Sequence, residues 1–337
     1  MSIGRKASLL FLISTLLFLT LSVALGLNTG LSEDAVYLLN SLAVSVPAFL
    51  IPAVIFRRRQ HFPVFKFPRI SYLLIAIVIG IGCVMLDNAL SCLTEIVFYG
   101  VRVESLSTTS ASILALDPVN MIVSLAILPP LCEEFIMRGT LLESWRRYSP
   151  IGAAVLTSLL FGLLHGAPSS LLVYFGIGMV MAMVYLITRS VWLSVVVHLV
   201  VNLSSVLSAI LMRQELGLGA ADAAEQAGAM TEMELSVPAY FQYLLQYALL
   251  AGVILVPMML LLRALCRRRG DGMYACGYDS LDDGRVFVTS YELEEGAAQG
   301  AKGHGLLADP FLWAALALLI VLNTVTGLIE FGVLKAD

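Results

Sequence analysis

Apolar residues fall into nine long runs along the chain, near 8–26, 35–56, 70–98, 118–137, 151–166, 169–188, 190–211, 238–263 and 309–332. A helix needs about 20 mostly apolar residues to cross a bilayer. The pattern therefore predicts an all-α, polytopic transmembrane helix bundle of about nine spans. The count falls to eight if the first run is a cleaved signal peptide, since Met1 to Lys6 form a short basic start. The apolar run from Ala7 to Gly26 exceeds the usual h-region of about 7–15 residues, and a second span follows directly. It is read as a retained first helix.

The polar stretches between the runs divide the chain further. Residues 1–114 hold the N-terminal transmembrane helices, and 115–212 form a membrane core. An acidic, external loop follows at 213–237, then a span at 238–263. A Gly- and Asp-rich loop covers 264–308, with one strand-like stretch from Arg285 to Tyr291, and the last span lies within 309–337. No inverted repeat of the kind found in many transporters is visible.

Composition sharpens the picture. The chain is 59% hydrophobic and 13% charged, against about 45–50% and about 25% for soluble domains. A secreted disulfide scaffold, a disordered chain and a nucleic-acid-binding domain are excluded. A net charge of −4 points to no polyanionic partner. The five cysteines show no CxxC spacing and read as free thiols. With the N-terminus cytoplasmic, 17 of the 20 Lys and Arg residues lie on one side; Arg102, Arg213 and Lys335 are the exceptions. This is the positive-inside asymmetry, and it favours a multi-pass protein of the bacterial cytoplasmic membrane.

Ionisable groups inside spans are costly and point to function. They concentrate in the fourth run, at Glu133-Glu134-Phe-Ile-Met-Arg138. Glu134 and Arg138 are i, i+4 with the acid first, the favourable order for an ion pair. Glu133 points about 100° away, so it is the free acid and Glu134 the braced one. Two of the four histidines fall in the next spans, as Phe161-Gly-Leu-Leu-His165 and His198-Leu-Val-Val-Asn202. Glu133 lies 16 residues before Ser149 and His165 lies 16 after it, so an antiparallel hairpin sets them level. His198 joins them if the Glu143–Tyr148 end projects about two turns into the cytoplasm. The prolines Pro129-Pro130 and the break Gly166-Ala167-Pro168 bracket the same place.

A carboxylate, two imidazoles and an amide suit a hydrolase that works through an activated water. Glu133 would take the water proton, aided by His165, while a neutral histidine and Asn202 would donate to the oxyanion. The same set could hold a divalent ion such as zinc, through His165 and His198 with a carboxylate. No HExxH is present. Ser169 or Ser194 beside His198 would be needed for a serine route, and Asp87 lacks a partner for an aspartyl dyad.

Glu133-Glu134-xxx-Arg138, Phe161-xxx-His165 and His198-xxx-Asn202, in order on successive spans, resemble the CPBP family of CAAX prenyl-protease-like and bacteriocin-processing (Abi) intramembrane proteases. The resemblance covers about residues 118–212 and implies a glutamate-dependent intramembrane endopeptidase. In that pattern Glu133 and His165 activate water, His198 and Asn202 stabilise the oxyanion, and Glu134 with Arg138 and Phe161 supports the site. The expected substrate is a membrane-associated peptide or protein, CAAX-type, leader or bacteriocin-like, reached from the cytoplasmic side, with lipid as the other partner. A site holding water without a required metal is favoured over one holding zinc. The alternatives are a non-catalytic immunity or scaffold protein of the same fold and a proton-coupled transporter.

Overall fold

The computed structural model describes residues 1–27, 30–60, 62, 67–99, 116–215, 236–274, 276–281, 284–289 and 306–331. Among them nine apolar helices run in chain order: α1 (Ile3–Gly26), α2 (Glu33–Arg59), α3 (Ile70–Val97), α4 (Pro118–Trp145), α5 (Pro150–Leu164), α6 (Leu171–Thr188), α7 (Val191–Glu215), α8 (Val237–Arg269) and α9 (Pro310–Glu330). The molecule is a polytopic helical bundle. It also carries one antiparallel β-hairpin, β1 (Cys276–Leu281) with β2 (Gly284–Thr289), paired from Cys276 opposite Thr289 to Leu281 opposite Gly284. Of the strand-like stretch Arg285–Tyr291, residues 285–289 lie in β2 and 290–291 lie outside the described residues.

Several helices start on the same local signal. Asp117, Ser149 and Asp309 cap α4, α5 and α9 with their side-chain oxygens, and a proline follows each at the first helical position. The cap satisfies an orphan amide, and proline loses nothing there because that amide has no intrahelical partner. Ser2 and Ser32 cap α1 and α2 in the same way.

Among the described residues, the contacts at the helix ends fall into two groups. At one end Arg5 donates to the Ala308 carbonyl, Ser8 to Asp309, Arg57 to the Gly139 carbonyl, and Arg69 and Tyr72 to Asp271. At the other end Ser22 meets Asn40, the Asp117 amide meets Asp34, and Arg213 donates to the Leu116 carbonyl. Among the described residues, consecutive helices start at opposite ends of the bundle.

Two sequence expectations need correction. The run at 151–166 gives only a 15-residue helix, α5, about 22 Å long at 1.5 Å per residue. That falls short of a hydrocarbon core about 30 Å thick, and eight helices rather than nine are long enough to cross alone. The early stop matters: it puts His165 at the helix C-cap instead of inside the helix. The Glu143–Tyr148 end is also only partly solvated, with Arg147 alone of its six residues exposed. Glu143, Ser144 and Trp145 are buried, with Glu143 accepting from Arg146 and Tyr185 and the Trp145 indole donating to Ser8.

Candidate active site

Helix α4 is irregular where the acids sit. It is π-helical at Ile122–Ile127, α-helical at Leu128–Ile136 and π-helical again at Met137–Leu142. The two prolines explain the first change. The Leu125 carbonyl would accept from residue 129 in an α-helix or residue 130 in a π-helix, and both are proline. No ladder donor exists for it. Asn202 on α7 supplies one, its side-chain Nδ2 donating to the Leu125 carbonyl at 2.9 Å. Backbone irregularity at membrane depth is tolerated when a neighbouring element satisfies it in this way.

Beyond the prolines the two glutamates separate as their helical angles demand. Glu134 is completely buried, and Arg138, equally buried, donates to its Oε1 at 2.7 Å. The guanidinium also donates to the Gly178 carbonyl on α6 at 2.9 Å and lies 4.9 Å from the centre of the Phe161 ring. Gly178 packs closely here: a Cβ would come within 3.2–3.3 Å of Ser158 and Phe161, so a neighbour would have to give by a few tenths of an ångström. A buried ion pair needs extra hydrogen bonds to offset desolvation, and Arg138 finds one in that carbonyl.

His198 completes the arrangement in a way that sequence reasoning missed. Its Nδ1 lies 3.0 Å from the same Glu134 Oε1 that Arg138 holds. Its Nε2 lies 3.9 Å from Glu133 Oε2. An acid held by an arginine accepts from the imidazole, so Nδ1 carries a proton. Nε2 can then donate only if the ring carries both protons; a neutral His198 in this tautomer would have nothing to give an oxyanion.

His165 is held differently. Its Nδ1 lies 2.8 Å from the Phe161 carbonyl. A carbonyl only accepts, so Nδ1 bears the proton and Nε2 of the neutral ring is a lone pair. The ring stacks on Tyr174 of α6 at 3.9 Å and 19°, and Phe161 meets both histidine rings edge-on, at 4.7 Å and 5.6 Å. Tyr174 is a site residue the sequence did not reveal. Its one signal was a polar-tipped aromatic inside an otherwise aliphatic run.

The structure thus gathers Glu133, Glu134, Arg138, Phe161, His165 and His198 around one ring cluster. Asn202 sits on the same helix as His198, with its amide committed to Leu125. The serine route loses its nucleophiles: Ser169 donates to Glu330 and Ser194 to the Met181 carbonyl at 3.1 Å. Among the described residues no three His, Cys, Asp or Glu side chains converge on a metal position. Catalytic zinc takes three protein ligands, so the residues as placed do not make such a centre. What they offer is a space beside Glu133 and His165 Nε2, with His198 Nε2 across from it.

Residues 115–204 match the family model described as Type II CAAX prenyl endopeptidase Rce1-like. The Bacillus subtilis (strain 168) protein named "Putative membrane peptidase YdiL" is 28% identical over 110 residues, which is 32% of this chain and 45% of that relative. The match therefore spans less than half the length of that curated relative. No solved structure matches. The matched segment begins two residues before the Asp117 cap of α4 and ends two residues after Asn202.

Proposed function

We propose that residues 115–204, which match the Rce1-like family model, form a CPBP-like core and that the protein is an intramembrane endopeptidase. It hydrolyses a peptide bond of a membrane-associated peptide or protein, reached from the Arg-rich face. CAAX-type, leader and bacteriocin-like peptides are the substrate classes that the family likeness suggests.

The observation that carries this reading is the unlike anchoring of two histidines. His165 Nδ1 is spent on a carbonyl and His198 Nδ1 on a carboxylate. Each presents Nε2, one as a lone pair and the other, when doubly protonated, as a donor. A water held by His165 Nε2 and Glu133 attacks the scissile carbonyl carbon and gives its proton to Glu133. The oxyanion takes a hydrogen bond from His198 Nε2–H, whose positive charge is balanced by Glu134. Collapse breaks the C–N bond as the Glu133 proton passes to the leaving nitrogen. Asn202 contributes by holding the irregular turn of α4 in place, and its second amide hydrogen is available to the same oxyanion.

The site works with water and needs no resident metal. Activity is therefore expected to persist through prolonged treatment with a strong chelator. Loss on chelation with recovery on zinc alone would assign His165 and His198 as ligands instead.

The direct test is the purified protein in liposomes, incubated with farnesylated and unlipidated peptide libraries and read by mass spectrometry. Cleavage by the wild type and none by Glu133→Gln, with equal yields, is the expected result. Turnover in Glu133→Gln would remove the base. A proton flux without any cleavage would turn the reading towards a transporter.

A further inference from the structure

Helix α9 lies outside the matched core, yet it grips the turn that carries His165. Because α5 stops at Leu164, its last carbonyls lose their i+4 amides, and the Leu163 carbonyl takes the Gly166 amide at 3.2 Å in a tighter turn instead. Asn323, buried on α9, donates its side-chain amide to the Leu163 carbonyl at 2.7 Å. One turn further along, Gly327 packs on Pro168, where a Cβ would sit 3.2 Å from the proline Cγ. Next comes Glu330, only 3% exposed. It accepts from the Ser169 hydroxyl, and the Ser169 amide approaches its other oxygen at 3.5 Å. These contacts fall on residues 163, 168 and 169, on both sides of His165.

A buried carboxylate at the end of a span is expensive and marks a function by default. Apolar packing would have been enough merely to keep α9 beside α5. We propose that Asn323 and Glu330 are positioning residues for His165: α9 is a strap that fixes the turn from Leu163 to Ser169 and so aims the imidazole. The opposite end of α9 is also tied, through Asp309 to Ser8 and from Ser8 to the Trp145 indole. Those contacts are far from His165 and supply a control. The proposal rests on the endopeptidase reading for its catalytic consequence but not for its structural one.

The test uses the full-length protein in detergent and reads both consequences separately. First, the rate at which diethyl pyrocarbonate modifies each histidine is followed by peptide mass spectrometry. His165 is partly buried and His198 is buried, so the second is an internal reference. Asn323→Leu and Glu330→Gln are expected to raise the His165 rate several-fold and leave His198 unchanged. Asp309→Asn, which loosens α9 at its other end, is expected to leave both unchanged.

Second, kcat is expected to fall roughly 10- to 100-fold in the two strap variants with KM nearly constant, the scale for a misplacement of about 1 Å. Glu330→Asp, which keeps the charge, should recover part of that loss. Equal rises at both histidines, or the same rise in Asp309→Asn, would mean general loosening and overturn the proposal. So would an unchanged His165 rate. A selective rise in a protein whose wild type cleaves nothing would keep the strap and reject the endopeptidase.

Discussion

Helices α4 and α6 and helices α1 and α8 are all apolar enough to cross a membrane, but they use that apolarity in opposite ways. Of the most hydrophobic stretch of each, 56% is buried inside the protein in the α6 span and 44% in α4, against 17% in α1 and in α8. The inner helices turn their surface to one another and can therefore hide charge: Glu134, Arg138 and Glu143 are all buried on α4. On α8, leucines and valines such as Leu249 and Val253 are more than 60% exposed. Its polar attachments sit at the end, where Asp271 beyond Arg269 accepts from Tyr72 and Arg69. Hydropathy alone does not distinguish a wall from a reaction chamber. The difference lies in which spans can give a buried charge its partners.

The largest test of that contrast is Arg138→Ala. It strands Glu134, fully buried, with His198 as its one remaining partner among the described contacts. Removing one member of a buried pair typically costs about 3–5 kcal/mol, so the yield and thermal stability in detergent should fall sharply. Glu134→Leu with Arg138→Met should regain much of that stability, since a buried pair replaced by apolar residues of similar volume is often neutral. Cleavage should stay absent, because His198 then has no acceptor for its Nδ1 proton. Normal stability in Arg138→Ala would break the claim that the inner helices are organised by charge.

Much of this site was readable from spacing. The Glu134–Arg138 pair follows from i, i+4, and counting residues from Ser149 placed Glu133 level with His165. Local and antiparallel relations of this kind are fixed by helical geometry. The choice of Glu134 over Glu133 as the partner of His198 is not local. It depends on how α7 rotates against α4, which apolar runs without a sharp polar face do not encode. Tyr174 was hidden for the same reason, and so was the hold of α9 on Ser169, across 161 residues of sequence. The need for a donor at Leu125, by contrast, was written in Pro129-Pro130: the arithmetic of i+4 and i+5 leaves that carbonyl orphaned. What the sequence withheld was which residue answers it.

That answer gives the intermediate prediction. Asn202→Leu removes the donor to the Leu125 carbonyl and should cost about 1–3 kcal/mol, the usual penalty for an unsatisfied polar group. Pro129→Ala returns a backbone N–H to the ladder and should recover part of the loss in the double variant. The two changes would then be non-additive, as expected for groups that share a partner. Strict additivity in thermal unfolding would show that Asn202 does not serve that turn, and would leave its role to the oxyanion alone.

The smallest effect is expected on the outer wall, and it is the one most able to upset the comparison. Leu249→Ala on α8 removes a side chain that is 68% exposed in the isolated chain. In a bilayer that surface meets acyl chains as apolar as leucine itself, so no hydrophobic driving force is lost. Substitutions at such surface positions usually fall within about 0.5 kcal/mol, and neither stability nor cleavage should change measurably. Val253→Ala, one turn along the same face, should behave alike, and the pair should add. A loss of 1 kcal/mol or more in either variant would mean that protein rather than lipid covers this face. Its dependence on protein concentration in detergent would then show whether a second copy of the chain is what covers it, and α8 would belong with the inner helices after all.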